Sequence, residues 1–85
     1  MNRTELRALM LESIERFYEN MSYEDIPVEY ALAVNIEKKD VIIFDNGVTP
    51  EDISALPKGY VFVILLDLYE STVTDAVEYI LRQNK

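Results

Sequence analysis

Cysteine, histidine and tryptophan are all missing from the chain. Without cysteine there is no disulfide staple and no thiol nucleophile. The further loss of histidine removes the usual soft-ligand zinc site and the one side chain that ordinarily titrates near neutrality. Ser13, Ser22, Ser54 and Ser71 have no histidine to activate them, so serine catalysis has no base to work with. Glycine is scarce, and Gly47 and Gly59 stand alone, which excludes a glycine-rich phosphate cradle. Long hydrophobic runs are lacking too. The longest, Tyr60 to Leu66, falls far short of the ~20 residues a membrane-spanning helix needs. Positive charge is in short supply, with 8 Lys+Arg against 16 Asp+Glu and a net charge of -8. Such a chain repels phosphate backbones, and no local basic patch overrides that field.

What is present suits one folded domain. The 85 residues are 49% hydrophobic and 28% charged, a globular rather than a disordered composition. A chain of this size exposes roughly 5,200 Å² folded against roughly 14,000 Å² unfolded, enough for one modest core spanning 1-85. Glu5, Glu12 and Glu15 interrupt the apolar residues between Met1 and Phe17, unlike a signal or transit peptide. The expectation is a cytoplasmic protein, on which cysteine usage is silent.

Residues 4 to 21 carry helical periodicity. Leu6, Leu9, Met10, Ile14, Phe17 and Met21 recur at three- and four-residue steps, and Leu11 and Tyr18 widen the stripe. Pro27 ends the helical pattern, since the residue before a proline avoids helix. From Val28 the period becomes two: Val28, Tyr30, Leu32, Val34 and Ile36 alternate with Glu29, Ala31, Ala33, Asn35 and Glu37. A polar stretch, Glu37 to Asp40, leads into Val41-Ile42-Ile43-Phe44, which predicts an antiparallel hairpin closed by the turn residues Asp45-Asn46-Gly47. Thr49 then caps a short helix with Pro50 at its first position, ending at Pro57 and Gly59. Tyr60 to Tyr69 reads as a third strand with both faces buried. Ser71-Thr72, with Asp75 three residues after Thr72, reads as the cap of a final helix that buries Val73, Ala76, Val77, Ile80 and Leu81. Arg16 is placed to pair with Glu12, and Arg82 with Glu78. The fold expected is α+β, in the order α-β-β-α(short)-β-α, with a three-stranded sheet packed by two main helices.

If the first strand of the hairpin lies in the middle of this sheet, the third lies at an edge with backbone groups free to pair. That arrangement points to self-association, as a homodimer, or to partner docking there. Two strands end in aspartate, at Asp45 and Asp67. Were they adjacent and parallel, these carboxylates, with Glu51, Asp52 and Glu70 nearby, could hold Mg²⁺. No histidine, lysine or nucleophile accompanies the pair, so the sequence assigns no catalytic residue, no metal site and no cofactor.

The acids carry the main functional hint. On a helical wheel Glu5, Glu12, Glu15 and Glu19 fall within roughly 80° of arc, opposite the apolar stripe. Between Glu15 and Glu29 stand Glu15, Glu19, Glu24, Asp25 and Glu29, with Arg16 the only base. Carboxylates spaced in this way can substitute for a phosphate track and steer a basic partner. A plain solubilising face has the same composition. Phe17, Tyr30, Phe44 and Phe62 are expected in the core, and Tyr23 and Tyr79 on the surface, where tyrosine favours recognition. The function expected is an acidic, non-enzymatic protein-binding module. It could act as an inhibitor of the phage or mobile-element type that presents Glu12, Glu15, Glu19, Glu24, Asp25 and Glu29 to the basic site of a nucleic-acid-processing protein, with Tyr18 or Tyr23 adding apolar contact. The alternatives are a structural or regulatory homo-oligomer joined through the third strand and, more remotely, a Mg²⁺ site at Asp45 and Asp67.

Overall fold

A computed structural model describes residues 1–26, 29–44 and 47–84. Helix α1 runs from Arg3 to Tyr18. It starts where it does because the Asn2 side chain accepts the Glu5 N–H at 2.8 Å while the Glu5 carboxylate reaches back to the Asn2 N–H. This reciprocal cap satisfies two otherwise orphaned donors. A single 3₁₀ turn, Tyr23–Asp25, leads to strand β1, Tyr30–Asn35. Strand β2, Asp40–Phe44, is followed by the short helix α2, Pro50–Ser54, then β3, Val61–Leu65, and α3, Glu70–Gln83. This is the α+β order expected from the sequence.

The sheet order is β2-β1-β3, with β1 antiparallel to both neighbours. Leu32 pairs with Ile43 on one side and Val63 on the other, while Ala33 pairs with Ile42 and Phe62. β3 is therefore an edge strand. β2 and β3 run in the same direction but are not adjacent, because β1 stands between them. The conditional placement of Asp45 beside Asp67 on neighbouring strands fails for that reason.

One sheet face carries the core. Leu6, Met10, Ile14 and Tyr18 form an i, i+4 row on α1; Val73, Ala76, Val77 and Ile80 form the matching stripe on α3. Both close over Leu32, Val34, Val63 and Leu65. α1 lies over the β2 side, α3 over the β3 side, and the helices touch each other. Because the buried row follows steps of four, Tyr18 is inside at 6% exposure and Phe17 is displaced to the rim at 41%. The spacing puts Phe17 in the core and Tyr18 on the widened apolar stripe; of the two only Tyr18 is buried. An Arg3 guanidinium fork grips the Glu78 carboxylate and ties the start of α1 to α3. This is the only ion pair among the described residues, so the Glu12–Arg16 and Glu78–Arg82 pairs expected from spacing are not formed.

The second sheet face lies opposite the core that α1 and α3 close. Ala31 and Ala33 lie along its middle, flanked by Ile42 and Phe44 on β2 and by Phe62 and Ile64 on β3. Strands two positions apart are separated by roughly 9–10 Å. The Phe44 and Phe62 rings nevertheless meet edge to face with centroids 5.9 Å apart, so they lean inward over the small central alanines. Ala33 is fully buried, and neither phenylalanine belongs to the core under the helices. The third strand is likewise covered on one face only: Val63 and Leu65 are inside, whereas Ile64 is 46% exposed.

Local chemistry sets the connections. Asn35, buried at the end of β1, accepts the Lys38 N–H at 2.9 Å and shapes the hairpin turn, in which Lys39 takes a φ of 53°. Thr49 caps α2 as expected, with Asp52 completing a reciprocal pair, and α2 buries none of its residues. α3 begins two residues before the expected Thr72 cap. Asp67 accepts the Tyr69 N–H at 3.0 Å and turns the chain into the helix, and Val73 N–H already bonds to the Tyr69 carbonyl. Among the described residues no helix is long and apolar enough to cross a membrane.

Candidate protein-binding surfaces

The i, i+4 row that seats α1 on the sheet also fixes where its acids point. With Leu6, Met10, Ile14 and Tyr18 inward, Glu12, Glu15 and Glu19 are held in water. At 1.5 Å per residue, Glu12 to Glu19 spans about 10 Å of helix. The chain then turns through Ser22, whose hydroxyl donates to the Asp25 carboxylate at 2.8 Å, with Asp25 N–H closing on the Ser22 carbonyl. Glu24, Asp25 and Glu29 are all exposed. Tyr23 contributes backbone to the 3₁₀ turn; its side chain lies outside the described residues, as do Pro27 and Val28.

The arrangement adds something the acids alone do not have. At the C-terminal end of α1 an open cleft of about 480 Å³ has Leu11, Ile26, Tyr30 and Leu68 among its walls and Glu15 and Glu19 on its rim. Beneath it Tyr18 stacks edge to face on Tyr30, with centroids 5.7 Å apart, and on Phe17 at 4.9 Å. Of the residues nominated from sequence, the structure brings Glu15 and Glu19 together at this cleft. Glu12, Glu24, Asp25 and Glu29 are exposed but do not line it. Arg16, the one base in this stretch, lines a different groove with Phe17, Lys39 and Asp40. The rim acids therefore form no ion pair among the described residues. Ile26 and Leu68 were the members that sequence reasoning missed. They come from a turn and from the segment after β3, where no periodicity flags them.

A second surface lies along β3 and α3. Phe62, Ile64, Leu66, Thr72, Asp75 and Tyr79 line an open groove of about 490 Å³, in which Leu66 is 64% exposed and Tyr79, placed on the surface from sequence, 41%. At the opposite end of the sheet Tyr60 donates its hydroxyl to the Asp40 carboxylate, joining the β3 side to β2. That bond, together with partial desolvation and the carboxylate's charge, raises the Tyr60 phenol above its ordinary value.

Asp45 lies outside the described residues, and Asp67 is engaged with the Tyr69 N–H. Among the described residues no group of three or more Asp or Glu is placed to hold a metal ion. No protein-family model matches this chain, and no curated protein or solved structure matches it either.

Proposed function

We propose that this protein is a non-enzymatic binding module that takes a basic, partly apolar segment of another protein at the C-terminal end of α1. The observation that carries this reading is the pairing of Glu15 and Glu19 with the apolar walls Leu11, Ile26 and Leu68. Lysine and arginine have long apolar stems and charged heads. Such side chains can lay their stems on these walls and direct their heads to the two carboxylates. Glu12, Glu24, Asp25 and Glu29 extend the field around the cleft and steer the approach. A partner whose basic surface normally holds a phosphate backbone has the matching chemistry, which supports inhibition of a nucleic-acid-processing protein as the role.

The test uses a labelled amphipathic peptide of lysine, arginine and leucine as the probe. Exposed ion pairs contribute about 0.2–1 kcal/mol each. Reversing both rim charges replaces two attractions by two repulsions, so Glu15→Lys with Glu19→Lys should weaken binding by about 1–2 kcal/mol, roughly 5–30-fold. Reversal at Glu51 and Asp52 on α2 conserves the net charge change and should have far less effect. Binding should also weaken steeply with salt. Equal losses at the two places would refute the cleft.

A further inference from the structure

We infer that β3 is the dimerisation edge of this protein and that its occupant is β3 of a second copy, in a two-fold antiparallel pairing that makes one continuous six-stranded sheet. Edge strands in natural monomers are blunted by charge, proline, a bulge or a covering element. Among the described residues β3 carries no charge, proline or bulge, and an open groove runs beside it. Tyr60 to Leu66 contains no charged residue, no proline and no glycine, and the strand pairs with β1 without a break in register from Val61 to Leu65. The other edge is protected: β2 opens with Asp40 directly after Lys38 and Lys39, and Tyr60 holds the Asp40 carboxylate there.

Three observations select a second copy as the occupant. First, an antiparallel pairing about a two-fold axis is self-complementary. Centred on Val63, it sets Ile64 opposite Phe62 of the second copy, and Phe62 opposite its Ile64. Both side chains lie on the sheet face opposite α1 and α3, so the row Phe44, Phe62, Ile64 continues across the axis.

Second, the edge carries exposed apolar surface. The exposed apolar side chains at and beside β3 include Ile64, Leu66 and Tyr79.

Third, charge dictates the approach. Two chains of net charge -8 repel each other wherever acids face acids. The neutral stretch from Tyr60 to Leu66 avoids this, and antiparallel pairing brings the Lys58 end of each strand toward the Asp67 end of the other. Asp75 is the one charged residue lining the groove beside β3. Salt should therefore strengthen the dimer, the opposite of its effect on a basic partner at α1.

Sedimentation of the full chain, alone, across the micromolar to millimolar range tests this without any partner. Its outcome is thus independent of the α1 cleft. The expected result is a concentration-dependent rise to twice the 9.9 kDa chain mass, steeper at high salt. Ile64→Lys, at an exposed edge position, should remain monomeric throughout with an unchanged far-ultraviolet circular dichroism spectrum. Phe17→Lys, on the far side of the molecule in the α1–β2 groove, should dimerise like the wild type. Hydrogen exchange on the unmodified chain gives a second readout that needs no variant: alternate amides of Val61–Leu65 should slow at least tenfold between dilute and concentrated samples. A wild-type chain that stays monomeric at millimolar concentration overturns the inference. So does a dimer that forms with no change in β3 exchange.

Discussion

Replacing Gly59 by alanine tests the joint that sets β3 against the hairpin. Gly59 sits just before β3 at a φ of +96°, and an added Cβ would stand 3.0 Å from Asn35 Nδ2 and 3.7 Å from its Cγ. Gly47 offers a control within the same chain: its φ is +81°, and an added Cβ would meet nothing within 4 Å. Both substitutions force an L-residue into a left-handed conformation, at about 1–2 kcal/mol. Both recover about 0.4–1 kcal/mol because alanine has less freedom to lose on folding. Gly47→Ala should therefore cost about 1 kcal/mol or less. Gly59→Ala carries a further cost, because Asn35 cannot simply move aside. Asn35 is 3% exposed, and its Oδ1 holds the Lys38 N–H at 2.9 Å. Displacing it weakens a hydrogen bond and strands a buried amide, adding about 1–3 kcal/mol. The expected total is about 2–4 kcal/mol, a large share of the ~4–13 kcal/mol that 85 residues ordinarily command. Urea unfolding at constant m measures both variants. In an Asn35→Ala background the cost of Gly59→Ala should fall to that of Gly47→Ala. Equal costs for the two glycines, or a Gly59→Ala cost indifferent to Asn35, would refute the reasoning.

Two pH effects follow from the ion pair and the tyrosine bond. The Arg3 fork holds the Glu78 carboxyl below its ordinary 4.5. A depressed folded value means that the stabilisation is present above the unfolded value and is lost as pH falls through the folded one. The urea midpoint of Arg3→Met should thus lie below wild type at neutral pH and converge with it in strong acid; a constant gap would dismiss the linkage. For Tyr60 the sign is reversed. Its phenol is raised above 10.0 chiefly by donation to Asp40, so its contribution is present below the unfolded value and lost as pH rises through the folded one. In alkaline absorbance titration, with Tyr60→Phe as the reference, Asp40→Asn should return Tyr60 toward its ordinary value. No movement would mean that Asp40 is not the cause.

Much of the fold could be read along the chain because its signals are local. Period-four spacing in α1 and α3, period-two spacing in β1, and Thr49-Pro50 at the head of α2 depend only on how a helix or strand presents successive side chains. The errors cluster where two signals compete. Phe17 and Tyr18 both fit a widened stripe, and only contact with the sheet decided which one turned inward. Thr72 is a sound cap by type, but Asp67 turned the chain earlier. Arg3 and Glu78 are 75 positions apart in sequence, so no i, i+4 rule could pair them in advance. For the candidate site, the exposure of Glu15 and Glu19 followed from the helical wheel. The apolar walls beside them did not, because Ile26 and Leu68 arrive from separate segments.

The sequence by itself determined that this protein works with carboxylates, hydroxyls, amides and aromatics rather than with thiols or imidazoles, and that its acids gather at the end of the first helix. Composition and spacing are properties of the chain, and folding does not alter them. Only the tertiary structure decided that β1 is central, that β3 lies at an edge, and which sheet face α1 and α3 cover. Those outcomes depend on which strands pair and which face the two helices choose. An apolar run such as Val61–Leu65 has the same pattern in the middle of a sheet as at its border, and only strand order places it at the edge.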